Sequence, residues 1–238
     1  MRKITFIIQV LTFSTLGLIA QVKEDSPYEF PIKPTSKEWG SISSSKGMLA
    51  ACQIPDYILK NISTKALAET CLNYPLFFEY TASNDERSAM EVMIQNFNGL
   101  KELAQRDDGM IELMKLYQEL PIRKESTSKI QANDVPYKTM YIELVLADKI
   151  FVGKANYSEL QELKKILLHK YDGKLSNSDI HSLYSIRKTL LLGAVVYLKQ
   201  NSLKNTKSTN ARVIESFIKH HNSADSNELS TVSKIIIE

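Results

Sequence analysis

The stretch IHSLYSIRKTLLLGAVVYL, residues 180–198, decides the fold. Its apolar positions Ile180, Leu183, Tyr184, Leu190, Leu191, Ala194, Val195 and Leu198 recur every three or four residues, the spacing that lines one face of a helix. From Leu190 to Leu198 the Tyr197 hydroxyl is the only polar side-chain group, so other helices must surround this one. Those nine residues are too few to cross a bilayer, which takes about 20. Ser176 with Asp179 has the N-cap to N3 spacing that satisfies orphan backbone donors, and it is expected to open this helix. Asn156 with Glu159 repeats the device upstream. The helix that pair opens carries Tyr157, Leu160, Leu163, Ile166, Leu167 and Tyr171 on one face and is expected to stop at Asp172-Gly173.

Similar patterns fill the rest of the chain. Ser63 precedes a helix with Leu67, Cys71 and Leu72 that ends near Pro75. Asn84 is expected to cap a segment through Met90, Val92, Met93, Ile94, Phe97 and Leu100, and Asp107 another through Ile111, Leu113, Met114, Leu116 and Tyr117, stopped by Pro121. Pro136 suits the first turn of a helix bearing Met140, Tyr141, Leu144, Val145 and Phe151. Val213, Ile214, Phe217 and Ile218 mark one more, and Ile235-Ile236-Ile237 reads as helix or strand. No alternating run is long enough to build a sheet. Gly and Pro, 8 and 7 in 238 residues, fall to roughly half their usual combined share of about 12%, which also argues against a turn-rich β fold. The expected class is all-α: eight or nine antiparallel-packed helices, in a globular bundle or a short HEAT-like superhelix.

The chain begins Met1-Arg2-Lys3, continues apolar from Ile4 to Ala20 with Gln9, Thr12, Ser14 and Thr15 interspersed, and turns polar at Gln21. This has the shape of a secretory signal peptide over 1–20, with an uncleaved anchor as the alternative. An extended lead-in follows over 21–35, where Pro27, Pro31 and Pro34 restrict the backbone around Tyr28 and Phe30. A helical domain is expected over 36–222, with the loop Arg123 to Asn133 as its best internal boundary, and a polar tail over 223–238. Export places the mature chain in the periplasm, the cell envelope or the extracellular space, not integral to a membrane once the signal is cleaved. Lys and Arg number 30 against 27 Asp and Glu, and loss of Arg2 and Lys3 leaves 28 against 27. The cations are interspersed with acids along the helices, so the clustered charge that nucleic-acid binding requires is missing.

Export also bears on Cys52 and Cys71, the two cysteines of the chain. Cys52 closes one expected helix and Cys71 lies in the next, across a connector from Pro55 to Ser63. A helical hairpin there either brings them to disulfide range or buries them as two small apolar thiols.

Four segments together carry a resemblance: PYEFPIKP (27–34), CQIPDYILKNISTKALAETCLNYP (52–75), FNGLKEL (97–103) and LLLGAVVYL (190–198). From about Pro27 to Gln200 the chain resembles an uncharacterised family of secreted helical proteins from Bacteroides-like gut bacteria. The segment with both cysteines is the most specific part. The resemblance implies export from a bacterium and an all-α fold; it brings no activity and no catalytic residue, and it does not extend to the tail.

Motifs for chemistry are weak. Ser-x-x-Lys occurs at Ser43/Lys46, Ser126/Lys129, Ser185/Lys188 and Ser216/Lys219, without the Lys-Thr-Gly and Ser-Asp-Asn companions of penicillin-recognising enzymes. No Gly-x-Ser-x-Gly elbow is present. His169, His181, His220 and His221 form no His-Glu-x-x-His motif, and no Cys-x-x-Cys occurs. His220 and His221 are helix neighbours that point apart. His181 reads as a surface or hydrogen-bonded residue. Glu159/Glu162 and Asp107/Asp108 sit at helix starts, where acids have structural duties. Eleven tyrosines suit core and boundary packing, or the lining of a sugar or peptide groove. No catalytic, cofactor or metal residue is assigned. The expected function is therefore an exported, non-catalytic module for a protein or glycan partner, with an exported hydrolase whose site assembles only in the fold as the alternative.

Overall fold

The helix built on the quoted stretch runs from Leu183 to Leu203 (α10), and it is buried through nearly three turns without a break, Ser185 to Ala194. Val135–Ala147 (α7) is enclosed in the same way, with Pro136 in its first turn. An all-round buried helix must be clad by others. α10 packs against α7, Tyr157–Ser176 (α9), Ala211–Lys219 (α11) and Ser226–Ile237 (α12). The computed structural model describes residues 25–123, 131–205, 209–220 and 225–237. Among them every regular element is helical.

The N-terminal half supplies Ser45–Ala51 (α1), Asp56–Asn61 (α2), Thr64–Leu72 (α3), Glu86–Asn96 (α4), Asn98–Gln105 (α5) and Gly109–Glu119 (α6). α3 packs on α5 and α6, and α4 on α5 and on a 3-10 turn at Phe77–Ala82. α6 then joins this group to α7 and α9, so one apolar core runs through both halves. A short helix, Lys149–Val152 (α8), follows α7. The Pro-rich lead-in lies on the body of the molecule: Phe30 is buried, and the Tyr28 N–H donates to Thr70 Oγ1 at 2.8 Å.

The described residues thus hold twelve α-helices rather than eight or nine, because several expected helices break where a side chain captures the backbone. Phe97 is extended between α4 and α5; Gln53 Oε1 there accepts from the Asn98 N–H at 3.0 Å, and Asn98 Oδ1 from the Ile54 N–H at 3.0 Å. Asp148, also extended, separates α7 from α8 and accepts from the Ile150 N–H. The Pro55 to Ser63 connector contains α2.

Two boundaries are corrected. α9 passes through Asp172-Gly173 and ends at Ser176, so Ser176 closes a helix instead of opening one; Ser182 caps α10. Gly173 is retained because a Cβ there would lie 2.4 Å from Ile122 Cδ1, which makes it a close-approach glycine and not a stop. Asp85, not Asn84, caps α4 through the Ser88 N–H, and Asp108 rather than Asp107 precedes α6. The Ser63 cap and the reciprocal Asn156/Glu159 capping box form as expected. Ile235-Ile236-Ile237 is helical, and Ile236 packs on Gly193 of α10. The expected signal segment lies outside the described residues, as does most of the Arg123 to Asn133 loop.

Candidate functional site

Glu143 is fully buried in the middle of α7, and three side chains from α6, α9 and α10 converge on it. Tyr117 and Thr189 each donate a hydroxyl to Oε1 at 2.7 Å, and Lys174 Nζ donates to both carboxylate oxygens at 2.9 Å. Lys174, itself 1% exposed, also donates to the Ser185 carbonyl at 3.1 Å. Burial lowers the Lys174 pKa, and the adjacent Glu143 charge works against that. Tyr117 is pushed well up by burial and then by Glu143, so it remains a neutral donor. An enclosed pair of this kind is tolerated only when its remaining lone pairs and protons are satisfied, as they are here.

A second buried ion pair joins Lys188 of α10 to Glu86 of α4. Lys188 thus ties α10 to the N-terminal half, and Thr189 ties it to Glu143 of α7. Lys170 of α9 completes the charged interior, donating to the Gln118 carbonyl at 3.0 Å and to the Leu120 carbonyl; burial lowers its pKa to about 8.

A cleft of about 590 Å³ with both polar and apolar walls opens beside this interior. α7 presents Tyr137 and Met140, α10 presents Tyr184 and Ser185, and the approach to α10 brings Asp179, Ile180 and Ser182. Tyr137 and Tyr184 are each 43% exposed. The Tyr184 ring has Lys188 Nζ 4.5 Å from its centre, and Tyr137 packs on Phe78 at 4.9 Å. Behind Ser185, His181 is buried and its Nε2 lies 2.6 Å from the Ile122 carbonyl. A carbonyl only accepts, so Nε2 carries the proton and Nδ1 offers its lone pair, 3.5 Å from Ser185 Oγ. Burial lowers the His181 pKa, which favours this neutral form.

The sequence candidates fall apart in space. Among the Ser-x-x-Lys pairs, Ser43/Lys46 and Ser216/Lys219 are exposed, and Ser126/Lys129 lies outside the described residues. Ser185 and Lys188 are both buried, but Lys188 is held by Glu86. His169 and His220 are exposed, and His221 is outside the described residues. Glu159 serves the α9 cap and Glu162 pairs with Lys165 on the surface, while Asp107 and Asp108 are exposed. Cys52 and Cys71 are both buried, and no bond joins them here. Burial pushes the Cys52 thiol up to about 11 and raises Cys71 as well. No group of three or more His, Cys, Asp or Glu side chains suited to a metal ion exists among the described residues. No helix among them is long and apolar enough to cross a membrane.

Glu143, Lys174 and Glu86 carry no motif, and the Ser-x-x-Lys pattern that contains Lys188 does not point to its partner Glu86. The one available signal was a lone Glu inside Met140-Tyr141-Ile142-Glu143-Leu144-Val145, a charge placed where the helix has no polar face. No protein-family model, curated protein or solved structure matches the chain.

Proposed function

We propose that this protein is an exported bacterial binding module, a globular bundle centred on α10, whose tyrosine-lined cleft takes a polyhydroxylated ligand such as a glycan. The observation that carries the reading is the cleft lining. Two half-exposed tyrosines, Tyr137 and Tyr184, offer ring faces to the C–H surfaces of a sugar, while Thr81, Asn133 and Ser182 supply uncharged donors and acceptors. Its volume falls within the range of small-molecule sites, roughly 300–1,000 Å³. Asp179 is the one carboxylate among the described lining residues, whereas glycoside hydrolysis ordinarily takes two across the scissile bond, so the reading is capture without cleavage. Export rests on the Ile4 to Ala20 pattern and on the resemblance to secreted helical proteins.

A glycan array followed by calorimetric titration of the hits tests the proposal. Saturable binding weakened at least tenfold by both Tyr137→Ala and Tyr184→Ala is expected. No bound glycan, or binding indifferent to both substitutions, overturns it.

The His181–Ser185 contact favours one second reading, acyl-ester hydrolysis at the same cleft. Ser185 Oγ would attack the carbonyl carbon as His181 Nδ1 takes its proton, the proton would pass to the departing alcohol, and water would release the acid. Labelling of the chain by a fluorophosphonate, lost in Ser185→Ala, supports that reading; an unlabelled chain removes it.

A further inference from the structure

Among the described residues four aromatic side chains are exposed, Tyr57, Phe78, Tyr137 and Tyr184, and three of them gather at the cleft. Tyr137 and Tyr184 line it. Phe78 lies just outside, 38% exposed, with its ring against Tyr137 at 4.9 Å between centroids. A surface tyrosine keeps its hydroxyl in water, whereas a phenylalanine has no polar end to place there. The core position on this turn is taken by Phe77, which is buried and meets Tyr141 edge-on at 5.9 Å. Apolar side chains exposed singly are ordinary, but rings gathered beside one cleft mark a binding surface.

The arrangement is held from its backbone. Thr81, a lining residue on the same Phe77–Ala82 turn, donates its hydroxyl to the Phe78 carbonyl at 2.8 Å, and Tyr80 Oη donates to the Tyr137 carbonyl at 3.1 Å. The turn thus fixes Phe78 and the start of α7 relative to one another. A surface ordered before its ligand arrives loses little entropy on binding. The Phe78 and Tyr137 rings are tilted by 57°, so together they extend the aromatic surface of the cleft outward at an angle.

We infer, resting on the glycan reading of the cleft, that the ligand is a chain and not a single sugar: it leaves the cleft over Tyr137 and lays a further pyranose ring on Phe78. The Phe78 side chain has no hydrogen-bonding group, so the outer unit must offer it C–H bonds. A gluco-configured ring, its hydroxyls all equatorial, does so on both faces, and β-1,4 linkage keeps the chain extended enough to reach past the cleft. Asp179 is the one charged side chain in the described lining and repels an acidic chain. The ligand class is a neutral, linear β-1,4-linked gluco-oligosaccharide long enough to engage all three rings.

Calorimetric titration of the full chain with cellobiose, cellotetraose and cellohexaose, and with tetragalacturonate as the acidic chain, is the test. The dissociation constant should fall at least tenfold from cellobiose to cellotetraose, and tetragalacturonate should bind at least tenfold more weakly than cellotetraose. Phe78→Ala and Phe78→Leu should abolish the gain with length while moving cellobiose less than about twofold, and Phe78→Trp, which keeps a ring face, should retain it. A merely structural role for Phe78 would weaken both lengths alike. An affinity that does not grow with length, a gain that survives in Phe78→Ala, or tetragalacturonate matching cellotetraose overturns the inference. Array glycans that bind through Tyr137 and Tyr184 while the cello-oligosaccharides do not bind also overturn it and leave the capture function standing; a chain that binds no glycan on the array removes both.

Discussion

A carboxylate enclosed as fully as Glu143 survives because Tyr117, Thr189 and Lys174 replace the water it has lost. The pair does not have to stabilise the fold to matter, since two matched apolar residues often do as well; what it resists is the loss of one partner. Glu143→Gln leaves Lys174 charged and unpaired in the interior and should cost about 3–5 kcal/mol. The double variant Glu143→Leu with Lys174→Met should cost less than Glu143→Gln alone, which chemical denaturation of the three chains measures. Lys170 gives a pH-dependent counterpart. Its folded pKa is lowered to about 8 from 10.5, so between these values the unfolded chain holds a proton that the folded chain has released, and stability rises with pH. Below pH 8 the full cost of the buried charge is present. The Cys52 and Tyr117 shifts run the opposite way at high pH, because raised folded pKa values on acids lose stability as the unfolded groups ionise. Subtracting a Lys170→Met variant cancels them. The native-minus-variant stability should climb between pH 8 and 10, by up to about 1.4 kcal/mol per pH unit, and stay flat between pH 6 and 7.5.

At the scale of an element, the caps were the most legible feature of the chain and the stops the least. Asn156 and Glu159 are three positions apart in the chain, so their reciprocal bonds depend on local backbone alone, and both form. Asn156→Ala should therefore cost about 1 kcal/mol, seen as a fall of roughly 2–4 °C in melting temperature. Gly173 shows why stops mislead. A glycine after a helical run signals either a C-cap or a close approach, and only the distant Ile122 side chain decides between them. Gly193 is the same case inside α10: a Cβ would lie 2.9 Å from Ile236 Cγ2 and 3.4 Å from Leu167 Cδ1. Gly193→Val should loosen α12 from α10, and Ile236→Ala in the same chain should recover part of the loss, a coupling that a double-mutant cycle reads directly.

At the scale of the whole molecule, α12 closes the face of α10 with Leu229, Val232, Ile235 and Ile236, all buried. Arg187 of α10 adds an ion pair to Glu228 at 3.2 Å. Truncation after Lys219 exposes both sides of that seam. At roughly 1.5–3 kcal/mol for each large aliphatic returned to water, the loss is a large share of an ordinary stability of about 5–15 kcal/mol. The truncated chain should melt at least about 10 °C lower, and hydrogen exchange should show α10 deprotected around Gly193.

The all-α class followed from the sequence by itself, because a 3.6-residue apolar period is a property of neighbouring positions and needs no knowledge of distant ones. So did the burial of α10 on all sides, and the Ser63 and Asn156 caps. The helix count did not, since the break at Phe97 is fixed by bonds between Asn98 and the distant Gln53 and Ile54. Only the tertiary structure brought Glu143 to Lys174, 31 positions away, and placed Tyr137 and Tyr184 in the lining of one cleft. Those pairings depend on how helices dock. Docking is fixed by the fit of whole faces, and no local pattern of residues records it.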